Sequence, residues 1–414
     1  MSLDKLDATL KTEISALEDE GRAKAPERVI VGYVPPAGDR GPRYRLEGSD
    51  QDFIRLNSNS YLSMSHHAAM IEAADKACHE FGVGPGAVRF IDGTFDQHHE
   101  LERRTAAFVG KPACRIFNSA YTANLGLCLT LTDKTTFWIG DELNHNCIIR
   151  GMRIANVPRE RRSIYKHNDM AELAQRLDEV PDGITRVVVI TDGIFSMRGD
   201  VCPLDEINAL VAKHHDRFRD GVITVVDDSH GIGAFGETGR GTEEHCGAKC
   251  DILVGTYGKA FGVNGGFIAG SETLVDAVRQ KADTYIYTNP LGVADCAAAV
   301  ASVEIVDGPE GRERLAHLHA RIAQFREGVE KLGIETIPGP HPVVPLMIRD
   351  TQKTKQWVKE LFDRGILVVG LAFPVVPKGD DTLRIQINAC HTEADITQVL
   401  DALADIQNAV GAAG

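Results

Sequence analysis

Five short apolar runs, each separated from the next by enough chain for a helix, constrain this sequence most: CRIFN (114–118), TTFWIG (135–140), TRVVVITD (185–192), GVITVVDD (221–228) and DILVGT (251–256). Unbroken Val/Ile runs of this length read as strands buried on both faces, and the intervening segments suit crossover helices. Residues from Asn57 to about Asp283 are therefore expected to form a mostly parallel sheet covered on both sides. The first fifty residues predict a helix and then a Pro/Gly-rich connector, PPAGDRGPRYR, leading into the body. The last hundred change character. A helical ARIAQFREGVEKLG, a strand HPVVPLMI, a helix KTKQWVKELFDRG, a strand TLRIQIN and a final helix opened by Thr392 predict a smaller α+β domain. With 414 residues and 43% hydrophobic content, the chain can bury a large core. The expected division is an N-terminal helix and arm over 1–56, a large domain over 57–295 and a C-terminal domain over 296–414.

Charge and cysteine usage exclude several function classes. The formal charge is -14, from 59 acidic and 45 basic residues, and no Lys/Arg-rich run stands out, so no nucleic-acid partner is expected. There is no run of about 18 apolar residues, and the N-terminus is a charged amphipathic pattern rather than a signal peptide. A cytoplasmic protein without stable membrane insertion is the expectation. Nine cysteines scattered along the chain do not form a secreted disulfide framework. His245, Cys246 and Cys250 come closest to a metal cluster, but no second pair with ligand spacing accompanies them, so no metal is expected.

The segment ITVVDDSHGIGAFG (223–236) contains the G-x-G-x-x-G pattern of a dinucleotide-binding turn. That fingerprint needs a helix starting within it and an acidic residue ending a second strand about 20 positions on. Here GETGRGTEEHCG follows, with four glycines in twelve residues, and Asp251 begins a strand instead of ending one. The glycines are expected to form a mobile loop. The Asp227-Asp228-Ser229-His230 run in front of them stands at a strand's carboxyl end, where open α/β sheets present their chemistry. At the end of the next strand comes TYGKAFG, with Lys259 between glycines. An acid and a lysine at consecutive strand ends fit pyridoxal phosphate (PLP), which needs a carboxylate to keep its ring nitrogen protonated and a lysine to hold it as a Schiff base.

Over nearly its whole length the chain resembles the α-oxoamine synthase family of PLP enzymes. The resemblance rests on SNSYLSM, GPGAVRFIDGTFDQHHELE, NSAYTANLG, ELNHNCIIRG, TDGIFSMRGD, VVDDSHGIGAFGETGRG, GTYGKAFG, YIYTNPLG and FPVVPKGDDTLRIQIN. It implies the aspartate-aminotransferase-like α/β fold type I, with a mostly parallel sheet in a large domain and a smaller α+β C-terminal domain. It also implies a homodimer with active sites at the subunit interface.

By matching motif, the resemblance makes Lys259 the Schiff-base lysine and general base, and Asp227 the partner of the ring nitrogen. His230 would bond the cofactor's phenolic oxygen, and His145 would stack on the ring. The backbone of Ala120 and Tyr121, at a helix N-terminus that favours an anion, would hold the phosphate with help from the Thr256 hydroxyl. Thr288 matches the residue that the other subunit donates, Ser196 would lie near the cofactor oxygen and substrate, and Asn59 near the substrate. Arg384 matches the arginine that clamps the amino-acid carboxylate, a task for which a planar guanidinium is suited.

The implied reaction joins an amino acid to an acyl-CoA thioester with release of coenzyme A. Within the family the motifs lie nearest the branch that uses glycine and acetyl-CoA. Alanine, serine or another amino acid with a longer acyl thioester is the alternative, and outside it an aminotransferase, a carbon–sulfur lyase or a non-catalytic regulator on the same fold. Asp92, Asn146-Cys147, the GVNGG loop and TNPLG depart from the branch pattern in segments expected to line the substrate channel.

Overall fold

The structure, a computed structural model, describes residues 3–20, 22–372, 376 and 379–412. Residues 373–375 and 377–378, part of the FPVVPKGDD motif, lie outside the described residues. The chain divides into two compact units: residues 59–320 with 338–342, and residues 1–58 with 321–337 and 343–414.

The unit built on residues 59–320 holds a seven-stranded sheet. Its strands in chain order are β1 (Ala113–Phe117), β2 (Thr136–Asp141), β3 (Arg162–Tyr165), β4 (Arg186–Asp192), β5 (Val222–Asp227), β6 (Ile252–Thr256) and β7 (Gly266–Gly270). Their order across the sheet is β1-β7-β6-β5-β4-β2-β3. All pairs are parallel except those of β7, which runs antiparallel between β1 and β6. The five anticipated strands are all present. β3 and β7 were not anticipated, because RSIY is a short, half-polar edge and GFIAG emerges from a glycine-rich stretch that carries no strand periodicity.

One face of the sheet, through Trp138, Val188, Ile190, Val225, Ile252, Val254 and Ile268, packs on Leu127, Cys128, Leu131 and Ile148 from helices Ala120–Leu131 and Asn146–Ile154. β5 is buried at almost every position, as a central parallel strand must be. Among the described residues no helix is long and apolar enough to cross a membrane.

In the other unit the Pro/Gly-rich arm contributes strands Ile30–Val34, Arg43–Leu46 and Asp52–Arg55, with Ile366–Leu367 added in parallel. A separate antiparallel sheet joins Val343–Met347, Thr382–Gln386 and Val369–Leu371. Thr392 caps the last helix, Glu393–Ala412, its hydroxyl accepting from the Asp395 N–H at 3.1 Å. Asp395 in turn holds Arg43 at 2.6 Å, which fastens the arm.

A buried ionic cluster joins helix Asp96–Val109 to β1. Glu102 accepts from Arg89 at 2.5 Å and from Arg115 at 3.1 Å. Burial alone would raise its pKa, but His99, Arg89 and Arg115 pull it down to about 2. A carboxyl with a depressed folded pKa stabilises the fold above its unfolded pKa and loses that contribution as pH falls through the folded value. Glu102→Ala is expected to cost about 3 kcal/mol in urea unfolding at neutral pH, since it strands two guanidinium groups. The deficit should shrink between about pH 4.5 and 2 as the wild-type carboxylate takes up its proton. A pH-independent deficit would show that packing, not charge, is what the variant removes.

Candidate active site

Four adjacent parallel strands, β2, β4, β5 and β6, end at the same edge of the sheet, and each hands its chain to a candidate residue. β2 leads to His145, β4 to Ser196, β5 to Asp227 and His230, and β6 to Thr256 and Lys259. β1 runs the same way two places beyond β6 and leads to Ala120 and Tyr121.

Asp227 is the best-anchored of these groups. Its Oδ2 accepts from Asn124 Nδ2 at 2.6 Å, and its Oδ1 accepts from the Ser229 N–H at 3.1 Å and the Ser229 hydroxyl at 2.5 Å. Three donors fix the direction of this buried carboxylate. Asp192, which the β4–β5 register sets beside Asp227, is fully buried. Burial, with the like charge of Asp227, raises its pKa well above the usual carboxylate range. Its Oδ2 accepts the His145 N–H at 3.0 Å. Lys259 lies near enough to Asp192 and His145 for its charge to act on both.

His145 caps helix Asn146–Ile154, with Nδ1 accepting the Cys147 N–H at 3.3 Å. Burial lowers its pKa, which favours the neutral ring. Because Nδ1 accepts from a backbone N–H, the ring's own proton belongs on Nε2. Cys147 Sγ lies 2.9 Å from Nδ1 and 3.9 Å from Asp227 Oδ2, and burial holds its thiol protonated by pushing the pKa far up. His230 pairs through Nδ1 with the Tyr61 hydroxyl at 2.7 Å, and its carbonyl accepts from His341 Nε2 at 2.9 Å. Tyr61 also donates to Asn59 Oδ1 at 3.3 Å.

At Ala120 the capping box of Ser119 and Thr122 satisfies one end of helix Ala120–Leu131. Among the described residues the N–H groups of Ala120 and Tyr121 find no acceptor. A helix start with two unfilled donors suits a phosphate. The close approach behind it depends on Gly266, where a Cβ would fall 2.1 Å from Ala120 N and 2.4 Å from Ser119 C. The Thr256 hydroxyl donates to the Gly265 carbonyl at 2.8 Å and accepts the Gly258 N–H at 3.1 Å, which closes the turn carrying Lys259. Asn118 reaches Thr288 Oγ1 at 3.3 Å and the Asn289 carbonyl at 2.8 Å. Arg384 lies on strand Thr382–Gln386, in the other compact unit, and is buried there.

The glycine pattern after His230 departs from expectation. Gly231–Phe235 is buried and closed by backbone bonds, among them Gly233 N–H to the Gly239 carbonyl at 2.7 Å, so it is a packed turn rather than a mobile loop. It wraps Asp228, whose carboxyl takes the Thr242 N–H at 2.8 Å and hydroxyl at 2.7 Å. A Cβ at Gly241, which has φ +75°, would lie 1.9 Å from Asp228 Oδ2.

Sequence reasoning assigned no role to Asn124, Ser229, Tyr61, His341 or Asp192. Asn124 had a signal, as the one amide in the apolar helix AYTANLGLCLTL. His341 had none, since nothing local ties it to His230.

This donor set fits PLP: two open N–H groups for its phosphate, a fixed carboxylate for its ring nitrogen and a lysine for its aldehyde. The sequence matches the family described as aminotransferase class I and II over residues 51–403. It is 36% identical to 8-amino-7-oxononanoate synthase of Saccharophagus degradans over 408 residues, 98% of each chain. It is 40% identical to that of Fervidobacterium nodosum, over 84% of this chain and 87% of the relative. Among solved structures it resembles serine palmitoyltransferase from S. paucimobilis with a bound PLP–myriocin aldimine: TM-score 0.86, 29% identity, 99% of each chain.

Gly266→Ala should push the helix start away from β7. The dissociation constant for PLP, read by titration of its absorbance, is expected to rise about tenfold, equivalent to ~1.4 kcal/mol. Unchanged affinity would remove the helix N-terminus from the site.

Proposed function

This chain belongs to the α-oxoamine synthase family of PLP-dependent enzymes, of aspartate-aminotransferase-like fold type I, and from that premise we propose that it condenses a small α-amino acid with an acyl-CoA thioester. Coenzyme A is released, and the product is a β-keto amino acid or, after loss of carbon dioxide, an α-amino ketone. The observation that carries the reading is the anchored Asp227 on β5 beside the Lys259 turn on β6, with the open helix start at Ala120 on the same sheet edge.

When bound, PLP supplies an electron sink for the carbon that loses its proton. Asp227 would hold the proton on the ring nitrogen, because an opposed carboxylate favours the charged form. Lys259 would anchor the aldehyde carbon and, as a free amine, would take the substrate's α-proton. His145 would cover the ring, and His230, held by the Tyr61 hydroxyl, would bond the phenolic oxygen together with Ser196. Arg384 clamps the substrate carboxylate, and Asn59 contacts the substrate. These roles come from the matching motifs.

Glycine and acetyl-CoA are the finer assignment, supported by the motif resemblance. A second reading is favoured by the relatives' own name, 8-amino-7-oxononanoate synthase, which points to a longer acyl thioester. Thiol release measured over a matrix of amino acids and acyl-CoA thioesters, with product mass recorded, tests both. Release of thiol without any need for an amino acid would contradict the condensation itself.

We also propose a homodimer in which Thr288 of the partner subunit completes the phosphate site. Val83, Phe90, Ile91 and Tyr287, exposed to 83%, 65%, 57% and 74%, support it as apolar surface wanting cover. Sedimentation at the 45.0 kDa of one chain would contradict the dimer. Lys259→Ala should abolish both turnover and the near-visible absorbance band of the lysine–cofactor Schiff base, whereas Arg384→Ala should raise KM for the amino acid about a hundredfold and leave cofactor affinity nearly unchanged. Equal losses of both in the Arg384 variant would mark that arginine as structural.

A further inference from the structure

We propose that His167 is a positioning residue that ties the loop delivering His145 to the loop delivering Ser196. Its imidazole sits between two carboxylates: Nδ1 lies 3.1 and 3.2 Å from the two oxygens of Asp141, and Nε2 lies 3.0 Å from Asp200 Oδ2. Nδ1 faces the Asp141 carboxylate and Nε2 the Asp200 carboxylate, with the Asn168 amide nitrogen farther off at 3.5 Å, so a doubly protonated ring is what serves both carboxylates at once.

Each carboxylate governs one loop. Asp141 ends β2, and its Oδ1 accepts the Leu143 N–H at 2.8 Å while its carbonyl accepts the Asn144 N–H at 3.2 Å, immediately before His145. Asp200 closes the turn around Ser196: its carbonyl accepts the Phe195 N–H at 3.0 Å, and its Oδ2 accepts Arg198 Nε at 2.8 Å. The Phe195 ring stands edge-on to the imidazole with centroids 4.3 Å apart. Asn168 repeats the tie, its N–H to Asp141 Oδ2 at 2.9 Å and its amide to the Val201 carbonyl at 3.1 Å.

The charged groups around the ring are Asp141, Asp200, Arg198 beyond Asp200, and Glu142, which accepts the His167 N–H at 3.0 Å. Burial would lower the imidazole pKa, but hydrogen bonds and charge from Asp141 and Asp200 raise it to about 9. A raised folded pKa means that the tie is complete below the free histidine value and is lost as pH rises through about 9.

The inference rests on the proposed function only for the consequence at the cofactor; the tie itself is read on the chain. Hydrogen exchange of holoenzyme compares wild type with His167→Gln at pH 7. The expected result is exchange about tenfold faster in both 143–146 and 194–199, with helix 120–131 unchanged, and kcat lowered about tenfold with KM nearly constant. In wild type the protection of both loops, corrected for intrinsic rates, should fall together near pH 9, and His167→Gln should lack that step. Asp200→Asn, which keeps Asp141 as a partner, should loosen the same two loops and replaces His167→Gln where the latter does not fold. Loosening of one loop alone, or an identical pH profile in wild type and variant, overturns the proposal. A wild type that shows the coupled step but releases no thiol from any amino-acid and acyl-CoA pair overturns the proposed function and leaves the tie standing.

Discussion

A carboxylate buried at the end of a central strand costs several kcal/mol unless donors meet it, and the way this chain meets Asp227 organises much else. Asn124 and Ser229 supply the donors, and Asn124 stands one turn into the helix that begins at Ala120. The same helix therefore presents open N–H groups at its start and steers Asp227 from its flank. Helix Asn146–Ile154 adds His145 as its cap and Cys147 from its first turn, both close to the Asp227–Asp192 pair. The two helices pack on one face of the sheet, so the apolar core that stabilises the unit also sets the geometry of its polar edge.

The adjacent acids show how strand geometry divides labour. Successive residues on a strand point to opposite faces, so Asp227 and Asp228 cannot share a role. Asp227 turns toward Asn124. Asp228 turns toward Thr242, and the glycine-rich turn folds around it with backbone where side chains would collide. Within the G-x-G-x-x-G pattern, Gly231 leaves room for the Asp228 carboxyl, Gly233 for Ala260 and Gly236 for Glu244. Burial raises the Asp228 pKa to about 7 despite the two Thr242 donors, which indicates a group held for its hydrogen bonds rather than its charge.

Much of this was legible in the sequence, and what was not had physical reasons. The apolar runs announced β1, β2, β4, β5 and β6, and four of these are interior strands, where cover on both faces leaves little choice of composition. Edge strand β3 and antiparallel β7 carry no such run: RSIY is half polar, and GFIAG, though buried throughout, is small where Gly266 admits the backbone of Ala120. Asp227 and Lys259 were singled out because they stand at consecutive strand ends, and His230 because the family resemblance points to it. Their supports were harder to see. Tyr61 and His341 reach His230 across 169 and 111 residues of sequence, and no local pattern encodes such a contact. The three strands in the N-terminal arm were hidden by the Pro/Gly-rich stretch between them, and the Arg43–Asp395 pair that holds the arm joins residues 352 apart.

The most direct test of the account is the protonation state of the bound cofactor's ring nitrogen, read by 15N NMR with labelled PLP in wild type and in Asp227→Asn. If the anchored Asp227 carboxylate is what keeps the ring charged, wild type gives the shift of a protonated pyridinium and Asp227→Asn that of a neutral pyridine. A protonated nitrogen in both, or a neutral one in wild type, would contradict it.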